Sequence, residues 1–244
     1  MKNHNVFCIL TFANQKFFPV VWQMAKSVRR FASYRLHVYD LGLNTDSQKR
    51  LTNSGVTVLR TEMPAGVLDR EHQRVSSNAH KIYCIEDFIR TRNEPVLVLD
   101  ADTLVIENID ELWPDQPDGI VVTARHPRDQ GAQHLIVRGK FINAGVMAYG
   151  PGVPTEFFRQ WKERCLQDMN GSDQRPLNDL LAEENIDFAK FDVGQPCKWG
   201  NVVVRDGEIY NDTTCRKNCG QYKWRSYLSQ NLSRKTLPTW AVSI

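Results

Sequence analysis

Residues 96–105 read VLVLDADTLV, in which four apolar residues run directly into two carboxylates that lie one residue apart. An apolar run of this kind, introduced by Pro95, predicts a strand that is buried on both faces of a parallel or mixed sheet. Two acids at the carboxyl end of a buried strand repel each other and resist desolvation, so we expect a cation or hydrogen-bond donors beside them. Mg²⁺ and Mn²⁺ favour carboxylate oxygen and leave positions for water and phosphate. A solvated turn that happens to contain two aspartates is the alternative.

Length and charge limit the kind of protein that can contain this stretch. The chain has 244 residues, which suits one large α/β domain, and its net charge of +3 gives no indication of nucleic-acid binding. The basic residues are unevenly placed, because six of them and no acid follow Asp212. Residues 213–244 are therefore predicted to form a basic tail. Contact with a diphosphate, contact with an acidic membrane surface and simple solvation remain open as its role.

The ends and the cysteines bear on localisation. The apolar run near the amino terminus ends by Phe12, which is too short for a signal peptide or a membrane span, so a cytoplasmic protein is predicted. Attachment to a membrane would be peripheral, through the basic tail. Cys8 and Cys84 lie in apolar patterns and are expected to pack as small hydrophobic residues. Three later cysteines could hold zinc or form a disulfide, although no C-x-x-C pair supports this: Cys197, Cys215 and Cys219.

Strand and helix patterns alternate along the first hundred residues. Strands are predicted at 6–12, 36–40, 56–59 and 96–99, and helices at 20–31, 46–53 and 82–89. Residues 61–77 show no period and predict a loop near the site. Further strands are predicted at 119–124 and 140–149, followed by helices over 157–166 and from Asp173, which is a plausible helix cap. Alternation of this kind predicts a doubly wound, mostly parallel sheet whose ligands bind at the carboxyl ends of the strands.

Three short motifs occur in an order that is typical of a known class of enzymes. They are LDADT at 99–103, FINAGVM at 141–147, and DQ at 173–174 followed by LN at 177–178. Together they resemble the motifs of GT-A-fold glycosyltransferases, especially those similar to glycosyltransferase family 8. The stretch YDLGL at 39–43 is also similar to a stretch in related nucleotide-diphospho-sugar transferases.

The resemblance covers roughly residues 6–190 and implies a particular fold. That fold is a single α/β, GT-A-like (Rossmann-like) domain with a mixed, mostly parallel central sheet flanked by helices. The catalytic domain would span residues 1–212, with a nucleotide-binding half at about 1–105 and a donor-sugar and acceptor half at about 106–212. Residues 213–244 would follow as the tail.

The resemblance also implies an activity. The protein would be a metal-dependent glycosyltransferase that moves a sugar, with retention of configuration, from a nucleotide-diphosphate sugar such as a UDP-sugar. The acceptor would be a glycan, a lipid-linked molecule or another hydroxyl compound. Mn²⁺ or Mg²⁺ at Asp100 and Asp102 would act as a Lewis acid that stabilises the departing diphosphate.

Individual roles follow from the resemblance as well. Asp102 would be the principal metal ligand, and Asp100 would divide its contacts between the metal and the ribose. Other residues implied in donor binding are Thr11, Phe12, Ala13, Asn14, Lys81, Ala101, Asn143 and Ala144. Asp173 or Gln174 would stabilise the positive charge that develops at the anomeric carbon. For Gly145, a role in close backbone approach competes with a simple bulge in a strand.

The sequence departs from the family at the third metal ligand. Family members often use a histidine near the carboxyl terminus, but the last histidine here is His134. Asp212 or Asn211 is the expected substitute, and Lys198 or Lys217 the expected phosphate-binding lysine. Two alternatives remain open: a catalytically inactive module that binds a sugar nucleotide or glycan, and a phosphatase with an aspartyl nucleophile.

Overall fold

The structure is a computed structural model that describes residues 7–31, 34–62, 73–105, 109, 113, 117–124, 142–167, 173–183, 189–190, 204–205, 208–209 and 221–223. The helices within these residues are α1 (Phe18–Val28), α2 (Thr45–Asn53), α3 (Gln73–Arg92), α4 (Thr155–Gln167) and α5 (Gln174–Glu183). The strands are β1 (Phe7–Ala13), β2 (Tyr34–Asp40), β3 (Thr57–Leu59), β4 (Val96–Leu99), β5 (Thr103–Val105), β6 (Ile120–Ala124), β7 (Ile142–Tyr149), β8 (Ala189–Lys190), β9 (Val204–Arg205), β10 (Glu208–Ile209) and β11 (Gln221–Lys223).

Seven of the described strands form one mixed sheet, in the order β3-β2-β1-β4-β7-β6-β8. The first four run parallel, β7 runs antiparallel to both β4 and β6, and β8 is parallel to β6. The prediction of a mixed, mostly parallel α/β sheet flanked by helices is confirmed. The carboxyl ends of β1 and β4 meet at one edge, because the two strands are neighbours.

The four apolar residues of β4 serve two cores. Val96 and Val98 pack with the face covered by α3, α4 and α5, whereas Leu97 and Leu99 pack with the face covered by α1 and α2. All four are at most 1% exposed. A strand covered on both faces needs apolar side chains at every position, which explains the unbroken run in the sequence.

The buried strand that the sequence predicts directly before the two aspartates is β4. β4 ends at Leu99, and a turn follows in which the Thr103 amide donates to the Asp100 carbonyl at 3.0 Å. β5 then leaves the main sheet and pairs with β11. Aspartate favours turns because its side chain competes for backbone hydrogen bonds, and here that preference outweighs the apolar residues on both sides.

The predicted loop over 61–77 is wrong at its carboxyl end, because α3 begins at Gln73. The first residues of α3 are mostly polar, so the apolar period that marks a helix starts only near Ile82. Lys81 consequently lies in the middle of α3 and not at its start. Residues 63–72 lie outside the described part of the chain.

β9 and β10 form a separate antiparallel pair, in which Glu208 lies opposite Arg205. Within the described residues, no helix combines the length and the apolar character that crossing a membrane requires.

Candidate active site

The turn after β4 places Asp100 and Asp102 at the carboxyl edge of the sheet. The Asp100 amide donates to the Gly145 carbonyl of β7 at 3.0 Å, which fixes the turn against the neighbouring strand. Ala101, between the two acids, is buried in the core on the α1 side. The Asp100 side chain is 30% exposed and Asp102 is half-buried, so both acids can be reached from solvent.

Lys81 of α3 connects this turn to the start of α5. Its ammonium lies 3.0 Å from Asp100 Oδ1 and 3.1 Å from Asp173 Oδ2, and it also donates to the Ala144 carbonyl. The Lys81 side chain is only 9% exposed. One buried cation thus holds together a carboxylate from each of two separate motifs and the backbone of a third.

The charge of Lys81 is set by two opposing effects. Burial alone disfavours the ammonium, but the negative charges of Asp100 and Asp173, together with their hydrogen bonds, outweigh it. The pKa of Lys81 is therefore raised above its ordinary value. The ammonium stays protonated and supplies a fixed positive charge at this edge of the sheet.

The position of Asp173 and Gln174 depends on two residues to which the sequence analysis assigned no role. Asn178 is fully buried and exchanges two hydrogen bonds with the Ile142 backbone of β7, at 2.9 and 3.1 Å. Trp161 of α4 donates from its indole nitrogen to the Asp173 carbonyl at 2.9 Å. The only sequence signal for Asn178 is an amide on the otherwise apolar face of α5, beside Leu177 and Leu181, where a buried polar group needs a partner.

β7 brings the FINAGVM motif to the same place. The Ala144 amide donates to Gln174 Oε1 at 3.4 Å, so the backbone of Ala144 contacts both Gln174 and Lys81. The pairing of β6 with β7 shifts register here, because Val122 lies opposite Met147 whereas Thr123 lies opposite Asn143. Gly145 falls inside this irregularity, which fits the bulge that the sequence left open. The side chain of Asn143 lies outside the described part of the structure.

The residues implied in binding the base lie at the carboxyl end of β1. Thr11 and Ala13 are buried, and no described residue pairs with the Thr11 hydroxyl. The Phe12 ring stacks on Tyr39 of β2 at a centroid distance of 6.4 Å. Asn14 is exposed, and its side-chain oxygen accepts from the Phe17 amide at 3.2 Å. The sheet places these residues beside β4, but their contact with a nucleotide stays a prediction.

A segment of the basic tail reaches the acidic turn. β11 pairs antiparallel with β5, and Lys223 lies opposite Thr103, the residue that follows Asp102. The remaining expected ligands and cations in this region lie outside the described residues: Asn211, Asp212, Lys198, Lys217, Cys197, Cys215 and Cys219. The boundary at residue 212 likewise stays a prediction.

The order and direction of the strands define the class of fold. Parallel β3, β2, β1 and β4, an antiparallel β7 and an acidic turn after β4 make up the GT-A arrangement. The galactosyltransferase LgtC, solved in complex with donor and acceptor sugar analogs, is similar to this chain with a TM-score of 0.63 at 17% identity. The match covers 89% of this chain and 87% of LgtC. An active-site mutant of LgtC matches with a TM-score of 0.60 at 19% identity over the same shares of both chains.

A third structure, the apo form of the glycosyltransferase GlyE from Streptococcus pneumoniae TIGR4, matches with a TM-score of 0.56 at 15% identity. That match covers 86% of this chain and 49% of GlyE. No curated protein sequence matches the chain. At these identities the structural matches establish the fold alone.

The chain belongs to the family of nucleotide-diphospho-sugar transferases. The model of that family matches residues 70–205, which is more than half of the chain and includes Lys81, the acidic turn, β7 and the start of α5. The protein is therefore a glycosyltransferase, as the resemblance implied, and the phosphatase is set aside.

Proposed function

We propose that this glycosyltransferase uses a UDP-sugar as donor, depends on Mn²⁺ or Mg²⁺, and transfers the sugar with retention of configuration. The observation that supports this most is the cluster around Lys81. The buried Lys81 ammonium donates to Asp100 in the turn after β4 and to Asp173 at the start of α5. It also donates to the backbone of β7. In this proposal the acidic turn binds the diphosphate through the metal, and the residues at the start of α5 contact the sugar that is attached to it.

The acidic turn has the chemistry that a hard divalent cation needs. Asp100 and Asp102 offer carboxylate oxygen, and their partial exposure leaves room for water and phosphate in the coordination shell. The Lys81 ammonium, 3.0 Å from Asp100 Oδ1, already places a positive charge against this carboxylate. Asp100 and Asp102, with Asp212 or Asn211, would hold the ion. Bound there, the metal supplies Lewis-acid stabilisation of charge on the departing diphosphate.

Lys81 is proposed to position the two acids and to supply positive charge. Its position fixes Asp100 relative to Asp173, and its charge adds to the positive potential in which the diphosphate would lie. Preorganised charges of this kind act without reorganisation during the reaction and contribute much of the rate enhancement of enzymes.

Asp173 and Gln174 are proposed to face the anomeric carbon. A glycosyl transition state has oxocarbenium character, so a carboxylate or amide oxygen beside it is stabilising. Asp173 Oδ2 lies on Lys81, and Gln174 Oε1 accepts from the Ala144 amide, so both oxygens are held in place by the scaffold. Their different charge allows the two candidates to be distinguished by Asp173→Asn and Gln174→Ala.

The remaining parts of the proposal concern the base, the acceptor and the tail. Residues 11–14 at the end of β1 are proposed to line the base pocket, together with Ala101. Asn143 and Ala144 are proposed to shape the sugar pocket. The acceptor is proposed to be a glycan or a lipid-linked molecule. The protein is proposed to be cytoplasmic, and its basic tail would make peripheral contact with an acidic membrane surface.

A donor panel tests this function. The protein is incubated with UDP- and GDP-sugars in turn, with Mn²⁺, with Mg²⁺ or with a chelator, and release of the nucleotide is measured. We expect turnover of a UDP-sugar with Mn²⁺, loss of turnover on chelation, and recovery when Mn²⁺ is restored. The anomeric configuration of the product, read by NMR, tests retention. Turnover that is equal with and without the chelator would contradict the metal-dependent mechanism.

A further inference from the structure

A second cluster of ligand-type side chains lies away from the acidic turn. Cys8 of β1, His37 of β2 and Glu94, just before β4, each offer one sulfur, nitrogen or oxygen atom, and these atoms lie within 4.8 Å of one another. Cys8 and His37 are buried, and Glu94 is half-buried.

The sheet brings these residues together at the amino-terminal side of its parallel strands. Cys8 lies opposite Arg35 of β2 and opposite Val96 of β4. His37 is two residues beyond Arg35 and therefore shares its face of the sheet, the face covered by α3. Asp100 lies after the carboxyl end of β4, so the cluster and the acidic turn are at opposite edges.

His37 has the surroundings of a ligand without its metal. The side chain is 96% buried, since only 4% is exposed, and among the described residues neither ring nitrogen has a hydrogen-bond partner. The ring packs edge-on against Phe88 of α3 at a centroid distance of 5.2 Å. Buried imidazole nitrogens are normally paired, because desolvation without a partner costs free energy.

A cation already lies between the other two groups. The Arg35 guanidinium is 2.9 Å from Cys8 Sγ and 2.6 Å from Glu94 Oε2. Its side chain is 48% exposed, so it can move outward without disturbing the core. The position between sulfur and carboxylate therefore accepts positive charge in the folded protein.

We propose that Cys8, His37 and Glu94 form a metal site for Zn²⁺, in which the ion takes the place of Arg35. Thiolate, imidazole and carboxylate are the ligand types that Zn²⁺ prefers, and three protein ligands with one water complete a tetrahedral shell. Binding forms a bond from the metal to Cys8 Sγ and releases the thiol proton to solvent. The sulfur ligand distinguishes this site from the oxygen ligands at Asp100 and Asp102.

The proposed site joins β1, β2 and the connection between α3 and β4. A metal that binds the folded chain more tightly than the unfolded chain raises its melting temperature. We therefore expect Zn²⁺ to stabilise the protein without a nucleotide present, and to do so equally in Asp102→Ala.

Co²⁺ titration of the full chain tests the proposal. Cobalt bound by sulfur gives a thiolate charge-transfer band in the near ultraviolet, which oxygen ligands alone do not produce. We expect this band in the wild type and its loss on addition of Zn²⁺. Cys8→Ser should remove it, and Glu94→Gln should weaken Co²⁺ binding by roughly tenfold or more. Arg35→Gln should tighten binding, an effect that misfolding cannot imitate.

Two control variants separate this cluster from other thiols. Cys84→Ser alters a buried cysteine of α3 outside the cluster and should keep the band. The triple change of Cys197, Cys215 and Cys219 to serine should keep it as well. Absence of the band from the wild type, its persistence in Cys8→Ser, or its loss in the triple variant would overturn the proposal.

Discussion

At the scale of single residues, Lys81 connects parts of the chain that are far apart in sequence. Its partners Asp100, Ala144 and Asp173 lie 19, 63 and 92 residues further along. No local pattern can predict contacts over such separations, so the sequence placed Lys81 only near the site. All three partners lie in the motifs that resemble the family, so the sequence marked them as site residues. That Lys81 joins them was visible only in the fold.

Replacing Lys81 by methionine should affect both stability and donor binding. The change keeps most of the side-chain volume but leaves two partly buried carboxylates and a carbonyl without their shared cation. We expect a loss of about 2 kcal/mol, below the value for a fully buried pair because Asp100 and Asp173 are partly exposed. Chemical denaturation measures this loss, and Lys81→Arg, which keeps the charge, should lose less. An unchanged free energy of unfolding in Lys81→Met would contradict the role of the ammonium.

The pH dependence of the same pair of proteins gives a second test. Burial opposes the charge of Lys81, but Asp100 and Asp173 outweigh it, so the pKa is raised in the folded state above the ordinary value of 10.5. A raised pKa means that the stabilisation is complete below the unfolded pKa and is lost only as the pH rises through the folded pKa. The stability difference between the wild type and Lys81→Met should stay constant from about pH 6 to about pH 9. A difference that grows toward pH 9 would contradict this, because it would show that burial outweighs the two carboxylates and lowers the pKa of Lys81 in the folded state.

Asp40 shows how a motif residue can act through the backbone. One carboxylate oxygen accepts from the Gly42 and Leu43 amides at 2.9 and 2.6 Å, and the other contacts Gln48 and Arg60 at 3.0 and 3.1 Å. Gly42 has a φ of +109°, which favours glycine, so the YDLGL stretch ends β2 and begins the turn that leads to α2.

A pair of variants at Asp40 separates the turn from the charge. Asp40→Ala should cost about 2 kcal/mol, because two backbone donors lose their acceptor. Asp40→Asn keeps one oxygen for the two amides and should cost distinctly less. Urea denaturation of both variants measures the difference, and equal losses would assign the stabilisation to the charge instead.

At the scale of elements, α3 and α4 are joined by an ion pair inside their interface. Glu86 of α3 lies 2.6 Å from Lys162 of α4 and 2.5 Å from Arg90 of its own helix. Lys162 is 15% exposed, whereas Arg90 is 56% exposed. The same carboxylate therefore has one sheltered and one solvated partner.

Because of this difference in exposure, replacing Lys162 should lower the free energy of unfolding more than replacing Arg90. Lys162→Met should destabilise the protein by about 2 kcal/mol, because it leaves a buried carboxylate with a single, screened partner. Arg90→Ala should cost less than about 1 kcal/mol, as exposed i,i+4 pairs do. Melting curves of the two variants measure these losses of stability. Equal losses in Lys162→Met and Arg90→Ala would contradict the assignment.

The elements themselves could be predicted where apolar side chains repeat. The apolar side chains of β4 and α1 pack in the core along the length of each element, so their pattern is visible in the sequence. The prediction failed where polar residues form an element, in the first residues of α3. A helix start without apolar side chains shows no hydrophobic period in the sequence.

At the scale of the whole molecule, the order of motifs predicted the fold and the family. Alternating strands and helices predicted the parallel half of the sheet, and the three motifs placed the site at its carboxyl edge. The positioning roles of Asn178 and Trp161 could not be predicted, because each depends on packing between separate helices and strands. The candidate zinc ligands were equally hidden, since Cys8 looks in sequence like any small core residue.

The central claim is that Asp100 and Asp102 hold the metal that binds the donor diphosphate. Calorimetric titration of uridine diphosphate with Mn²⁺ into the wild type, Asp102→Ala and Asp118→Ala tests it most directly. Asp118 is an exposed aspartate that precedes β6, toward the amino end of β4, and serves as the matched control. We expect Mn²⁺-dependent binding by the wild type and by Asp118→Ala and its loss in Asp102→Ala, whereas unchanged binding by Asp102→Ala would contradict the account.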